Sequence, residues 1–228
     1  MRNLEGWTVA FDLDGTLIDT APHLLATARA TLTHFGYPAV PDVKLRPWIS
    51  HGSRRILGEG CGAVGIELAE AELDRMFAFF LDHYRRHIAD YSRPFPGVHE
   101  VVARLAGDGA RCVVCTNKLE EPSCALLEAL DMLSLFDVVA GRDTYPVHKP
   151  DPRHLLNAVR SAGGLGQRAL MVGDSDVDVA TAKAAGVPII GVTFGYTHIP
   201  ITDLGCNAVI SGYDEFDEAL VRIIGIGC

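Results

Sequence analysis

Trp7-Thr8-Val9-Ala10-Phe11-Asp12-Leu13-Asp14-Gly15-Thr16 begins as an apolar, β-branched run and ends on two acids and a glycine. The run Trp7 to Phe11 reads as a short buried strand closed by the turn residues that follow it. Asp12 and Asp14 lie two residues apart, so in extended chain they share a face at the carboxyl end of that strand. In an open α/β sheet this edge is where ligands bind. Two carboxylates held side by side repel each other unless a hard cation neutralises them, and Mg²⁺ is the natural choice for oxygen ligands. A calcium loop of the EF-hand kind is excluded, because it needs glycine at its sixth position and Gly15 is the fourth.

A second acidic cluster follows a second apolar run. Ala169 to Val172 reads as a strand, and Gly173-Asp174-Ser175-Asp176-Val177-Asp178 leads from it into a helix. Asp174, at the strand tip, is placed to share a cation with Asp12, whereas Asp176 reads as a helix cap or an exposed acid. Between the two clusters lie segments suited to an anion. Arg111 to Cys115 reads as a strand running into Thr116-Asn117-Lys118, and His148-Lys149-Pro150-Asp151-Pro152 sets a lysine in a loop before a helix. A threonine hydroxyl, helix-start amides and a lysine ammonium together make a phosphate cradle.

Further strands are expected at Phe136 to Ala140, Pro188 to Val192 and Ala208 to Ile210. Helical patterns run from Gly97 to Ala106, Glu121 to Leu130, Pro152 to Ser161, Asp176 to Ala185 and Asp214 to Ile223. This alternation predicts a Rossmann-like α/β three-layer sandwich with a parallel central sheet. Thr20 to Ser92 interrupts it, with helical patterns such as Ala21 to Phe35 and Ala69 to Ile88 and no convincing strand. The turn-rich Arg93-Pro94-Phe95-Pro96-Gly97 closes that stretch. The expected organisation is a core of residues 1–19 and 93–228 with a helical domain, 20–92, inserted. Inside the insertion Gly58-Glu59-Gly60-Cys61-Gly62 reads as a loop.

Composition narrows the function classes. The chain has 228 residues, 48% of them hydrophobic, and a formal net charge of -9. That balance suits a folded, soluble protein and disfavours a phosphate backbone, so no nucleic acid partner is expected. No apolar run reaches the ~18 residues that a membrane helix needs. Met1 to Gly6 lacks the pattern of a signal peptide, so no membrane partner and a cytoplasmic location are expected. The six cysteines fall mostly in apolar stretches and are expected to be reduced. Cys112 and Cys115, three apart in a strand, point to opposite faces, a poor geometry for a disulfide. Cys228 stands last and not four from the end, so no prenylation box is expected.

Taken together, the four motif segments resemble those of the haloacid dehalogenase superfamily of phosphohydrolases, and the resemblance spans essentially the whole chain. Asp12 to Pro22, Thr116-Asn117-Lys118, Gly173-Asp174-Ser175 with Asp178, the His51-Gly52-Ser53 turn and Phe194-Gly195-Tyr196 are most similar to bacterial phosphoglycolate phosphatases. The resemblance implies that 20–92 is a helical cap and that the substrate is a small phosphorylated metabolite such as 2-phosphoglycolate. It implies Asp12 as the nucleophile, forming an aspartyl-phosphate, and Asp14 as general acid and then base. Mg²⁺ would be held by Asp12, the Asp14 carbonyl and Asp174, supported by Ser175 and Asp178. Thr116, Asn117 and Lys149 would bind the transferring phosphate. His51, Gly52 and Arg54, in a basic loop of the cap, would read the leaving group. Oligomeric state is left between monomer and homodimer.

The same core also serves β-phosphoglucomutase-like phosphoryl transfer, which no sequence feature excludes. Phosphonoacetaldehyde cleavage would need a cap lysine, and Lys44, the only one, sits awkwardly among prolines. Haloacid dehalogenation has no use for Asp14. A non-catalytic binding module fits poorly with a complete set of catalytic side chains.

Overall fold

The computed structural model describes residues 3–197 and 199–225; Met1, Arg2 and the reading made at Cys228 lie outside the described residues. The chain opens with β1 (Thr8–Phe11) and β2 (Ile18–Asp19), followed by α1 (Ala21–His34), α2 (Asp42–Leu45), α3 (Ser53–Gly62) and α4 (Glu70–Arg86). It continues through β3 (Arg93–Pro94), α5 (Val98–Gly107), β4 (Arg111–Cys115), α6 (Glu120–Ala129), β5 (Val138–Ala140) and α7 (Pro152–Ser161). The last elements are β6 (Ala169–Gly173), α8 (Asp176–Ala185), β7 (Ile189–Val192), β8 (Ala208–Ile210) and α9 (Phe216–Ile224).

The central sheet has six strands in the order β5-β4-β1-β6-β7-β8, every neighbouring pair parallel. The strands are joined by crossover segments, most of them helical, because parallel neighbours require a crossover. β1 lies in the middle, with Ala10 opposite Val113 on one side and Met171 on the other. Successive residues alternate between two apolar layers, as the period of extended chain demands. Val9, Phe11, Cys112, Val114 and Val172 pack with α5, α6 and α9, while Ala10, Val113, Cys115 and Met171 pack with α7 and α8. Cys112 and Cys115 thus end in different layers. The six strands anticipated from the apolar runs all appear.

The helical segment between β2 and β3 has an apolar cluster of its own, built from α1, α3 and α4. Met76, Phe80 and Tyr84 recur every four residues along one face of α4 and are buried there. The two ends of this segment meet in a two-stranded antiparallel ribbon, with Ile18 opposite Pro94 and Asp19 opposite Arg93. Strands of two residues are too short for any periodicity to register, which is why the linker at 93–97 reads from sequence only as a turn.

One expectation is overturned. Gly58 to Gly62 is not a loop but the second half of α3. Glycine is a poor helix former, yet here tertiary packing prevails: a Cβ on Gly60 would collide with Leu45, so the missing side chain is what lets α2 lie against α3. The basic stretch from His51 is likewise mostly helical, with a 3₁₀ helix over Arg46–His51 meeting α3 at Gly52. No helix among the described residues is long and apolar enough to cross a membrane.

Phe216 anchors the layer beneath β1, fully buried and stacked on Phe11 with ring centroids 6.3 Å apart. Phe216→Ala is expected to cost ~3–5 kcal/mol of stability, read as a lower urea midpoint with an unchanged slope. Leu165→Ala, at a side chain that is 65% exposed, should stay within ~0.5 kcal/mol of the parent.

Candidate active site

The carboxyl ends of β1, β4 and β6 converge on one buried acidic centre. Asp12 follows β1 directly, and its amide donates to the Val172 carbonyl at 2.9 Å, so the pairing of β1 with β6 carries past the strand and fixes it. Asp174 follows β6 and is fully buried. Its carboxylate accepts from the Thr16 hydroxyl at 3.2 Å and from the Tyr196 amide at 2.7 Å. Asp178 lies one turn into α8, where it forms a reciprocal cap with Ser175: the Ser175 hydroxyl donates to Asp178 at 2.6 Å and accepts from its amide at 3.3 Å. The cap of α8 is therefore Ser175, not Asp176, which falls on the first helical residue.

Carboxylate oxygens of Asp12, Asp174 and Asp178 all lie within 4.8 Å of one another. Among the described residues a single buried cation faces them. Lys149 is 2% exposed, and its ammonium is 2.6 Å from Asp178 and 2.9 Å from Asp12. Three acids against one lysine leave a deficit of two positive charges, which suits a divalent cation bound by oxygen ligands. Asp174 has no lysine or arginine partner among the described residues, so it is the carboxylate most in need of that ion. Burial pushes the Asp12 carboxyl up to about 7; Lys149 opposes this, and Asp178 and Asp14 add to it. Asp174 is also held well above the usual carboxylate range, by burial first and then by Asp178 and Asp12.

Asp14 stands apart from this triad. Its carboxylate accepts from the Lys118 ammonium at 3.3 and 3.4 Å. Lys118 in turn lies over the Tyr84 ring of α4, 4.2 Å from its centroid, and Tyr84 stacks on His23 of α1 at 4.3 Å. Asp14 and Tyr84 hold the Lys118 proton against burial and push its pKa up to about 12. Burial keeps His23 neutral, its pKa lowered to about 4. Neither Lys118 nor Tyr84 stands out as a site residue in the sequence. The signal for Lys118 was its place directly after Thr116-Asn117; Tyr84 looks like any core aromatic of α4.

The remaining sequence candidates fall around the same centre. Thr116 follows β4 and is buried; its hydroxyl accepts from the Lys118 amide at 3.2 Å, which turns the chain toward Asp14. Asn117 donates to the Lys149 carbonyl at 3.2 Å and braces the lysine loop. Asp12, Asp14, Thr116, Asn117 and Lys118 line a cavity of about 780 Å³ roofed by α3 and α4. His51, Gly52 and Arg54 line it from the other side. The Arg54 guanidinium, however, is bonded to Glu70 and, at 2.7 Å, to Asp74, so it ties α3 to α4. Arg55 and Arg142 also line the cavity, and the electrostatic field of Arg55 lowers the Arg142 pKa beyond the effect of burial.

Comparison with known sequences agrees with this geometry: the pattern of the haloacid dehalogenase-like hydrolases matches residues 9–192. The chain belongs to that family. It is 46% identical to a phosphoglycolate phosphatase of Mesorhizobium japonicum, over 95% of this chain and 97% of that one. It is 42% identical to a phosphoglycolate phosphatase of Caulobacter vibrioides, over 98% of this chain and 94% of that one. A crystal structure from Haemophilus somnus, described as a predicted phosphoglycolate phosphatase, superposes with a TM-score of 0.87 at 26% identity, covering 95% of this chain and 98% of that one. Family membership accounts for the parallel sheet with acids at its carboxyl edge.

The raised Asp12 pKa has a definite sign for stability. The folded state binds the Asp12 proton more tightly than the unfolded chain, so this contribution is complete below about 4 and is lost as pH rises through about 7. In chelator, the stability of the parent relative to Asp12→Asn, which does not titrate, should fall steadily across that window. Paired denaturant titrations from pH 4 to pH 8 read this directly; a difference independent of pH contradicts it.

Proposed function

We propose that this haloacid dehalogenase-like hydrolase is a Mg²⁺-dependent phosphatase that hydrolyses 2-phosphoglycolate to glycolate and phosphate through an aspartyl-phosphate. The observation that carries the reading is the division of the four acids. Asp12, Asp174 and Asp178 crowd around Lys149, while Asp14 stands clear of them against Lys118. One group of carboxylates suits a cation and a nucleophile; the separate one suits proton transfer.

In the first step an Asp12 carboxylate oxygen forms a bond to phosphorus as the bond from phosphorus to the leaving oxygen breaks, and Asp14 gives that oxygen its proton. In the second, Asp14 takes a proton from water as the water oxygen attacks phosphorus, and the Asp12 carboxylate leaves. One difficult displacement thus becomes two easier ones. Lys149 donates to Asp178 and forms an ion pair with Asp12, and its ammonium has a further donor to offer a transferring oxygen, alongside Thr116 and Asn117. Asp12 and Asp174, with the Asp14 carbonyl, would hold Mg²⁺, and Asp178 and Ser175 support that set. When bound, the ion supplies positive charge against the phosphoryl oxygens.

The substrate assignment draws on Lys118 and on the relatives named phosphoglycolate phosphatase. A leaving group whose oxygen meets Asp14 brings an adjacent carboxylate within reach of the Lys118 ammonium. Residues 20–92 serve as the cap: Tyr84 and His23 back Lys118, and His51 and Gly52 close the far side. Arg55 and Arg142 add positive charge at the rim, whereas Arg54 braces the cap internally. Every group comes from one chain, so the chemistry needs no second copy, and the net charge of -9 favours a small metabolite over nucleic acid.

Phosphate release from a panel of monoesters tests the reading. Turnover of 2-phosphoglycolate should exceed that of sugar phosphates and nucleotides and vanish in chelator. Asp12→Asn, folded by circular dichroism, should retain less than about one hundredth of parent turnover, and Lys149→Ala, lacking a charge on the transferring oxygens, should lose ~10²–10³-fold. Lys118→Met should lower kcat/KM for 2-phosphoglycolate by ~10–100-fold, the worth of a charged hydrogen bond. Broad, equal turnover of the panel would overturn the substrate, and no phosphate release would overturn the activity.

A further inference from the structure

Tyr196 lies in the chain that follows β7 and touches both the acidic centre and the root of the helical segment. Its amide donates to an Asp174 carboxylate oxygen at 2.7 Å. Its phenol oxygen accepts from the amides of Thr20 at 2.7 Å and Ala21 at 3.1 Å, and donates to the Asp19 carboxylate at 2.6 Å. Its ring is buried in the apolar cluster of α1, α3 and α4, with the Arg46 guanidinium 5.2 Å from its centroid. A single core residue thus holds the metal-side carboxylate with its backbone and the start of α1 with its side chain.

The start of α1 depends on this contact. A helix leaves its first amides without partners, and Thr20, placed at the cap, would be the ordinary acceptor. Its side chain makes no capping bond, and its hydroxyl is buried with no hydrogen-bond partner. Tyr196 supplies an acceptor for the first amides of this turn, those of Thr20 and Ala21. Asp19, which accepts the phenol's hydrogen bond, belongs to β2, one of the two strands through which the helical segment joins the sheet. Space around the contact is closed as well. A Cβ on Gly15 would stand 2.7 Å from the Asp174 carboxylate and 2.9 Å from the Tyr196 ring, so the turn after β1 is pressed against both.

We propose that Tyr196 is a positioning residue that couples cation binding at Asp174 to the seating of the cap's first helix. The inference rests on the proposed divalent-cation site. An ion held by Asp174 fixes the orientation of its carboxylate. That carboxylate fixes the Tyr196 backbone, and the phenol then holds α1 and β2 in register. Linkage is reciprocal: a seated cap helix stabilises the same Asp174 orientation and so tightens the ion.

Hydrogen exchange of the Thr20 and Ala21 amides in the full-length protein, with Mg²⁺ and with chelator, tests the coupling, with Mg²⁺ binding followed by calorimetry. In the parent, Mg²⁺ should slow exchange at these amides by at least about fivefold, the scale of one hydrogen bond. Tyr196→Phe keeps the ring and loses the phenol oxygen. In it the Mg²⁺ effect at Thr20 and Ala21 should fall below about twofold while Mg²⁺ still binds and exchange in α7 is unchanged. Asp19→Ala, which leaves the capping acceptor in place but releases the phenol from β2, should show a reduced effect. Equal protection by Mg²⁺ in the parent and Tyr196→Phe overturns the coupling. So does a parent that binds Mg²⁺ with no change at these amides, and that result leaves the cation site standing. A parent that binds no Mg²⁺ removes the cation site and the inference together.

Discussion

The ammonium of Lys149 sits between two buried carboxylates, and most of the site follows from the need to keep it there. A charged group out of water is tolerated only when it is paired and hydrogen-bonded, and removing one partner of such a pair typically costs ~3–5 kcal/mol. Asp12 and Asp178 provide the pairing, Asn117 braces the lysine carbonyl, and Ser175 holds Asp178 through the cap of α8. Those groups arrive from the ends of three parallel strands and the start of one helix. The sheet order, with β1 flanked by β4 and β6, is what brings them together. Asp174 is left over from this pairing, which makes the centre receptive to a divalent ion.

The helical segment meets the candidate site through a layered stack. His23 backs Tyr84, Tyr84 lies beneath Lys118, and Lys118 meets Asp14. Asp14 therefore has a partner from the core whose position is set by rings from the helical segment. An aromatic face attracts a cation, and with water excluded the attraction strengthens. On the opposite side Tyr196 reaches the root of the same segment from the core. Two contacts thus tie the helices to the acids.

Much of this could be read along the chain because its signals are local. Apolar runs ending in Asp12, Thr116 and Asp174 mark strand ends, and the interruption from Thr20 to Ser92 marks the helical segment. Where tertiary contacts outweigh local preference, the reading misses. Gly58, Gly60 and Gly62 look like a loop, yet Leu45 fills the space that Gly60 leaves and α3 runs through. Asp176 looks like the cap, yet Ser175 precedes it with the shorter side chain and with Asp178 in position to reciprocate. Arg54 looks available to a ligand, yet Glu70 and Asp74, from the next helix, occupy it.

Sequence by itself determined the alternation of strands and helices and the residues at the strand ends, since these depend on spacing of two to four positions along one element; the family followed from the resemblance of the motifs spread along the chain. The tertiary structure alone decided which acid stands apart, that Lys118 and Tyr84 join the site, and that Tyr196 caps a helix distant in sequence. Those relations arise between side chains brought together by sheet order and burial, and no periodicity within a single segment encodes them.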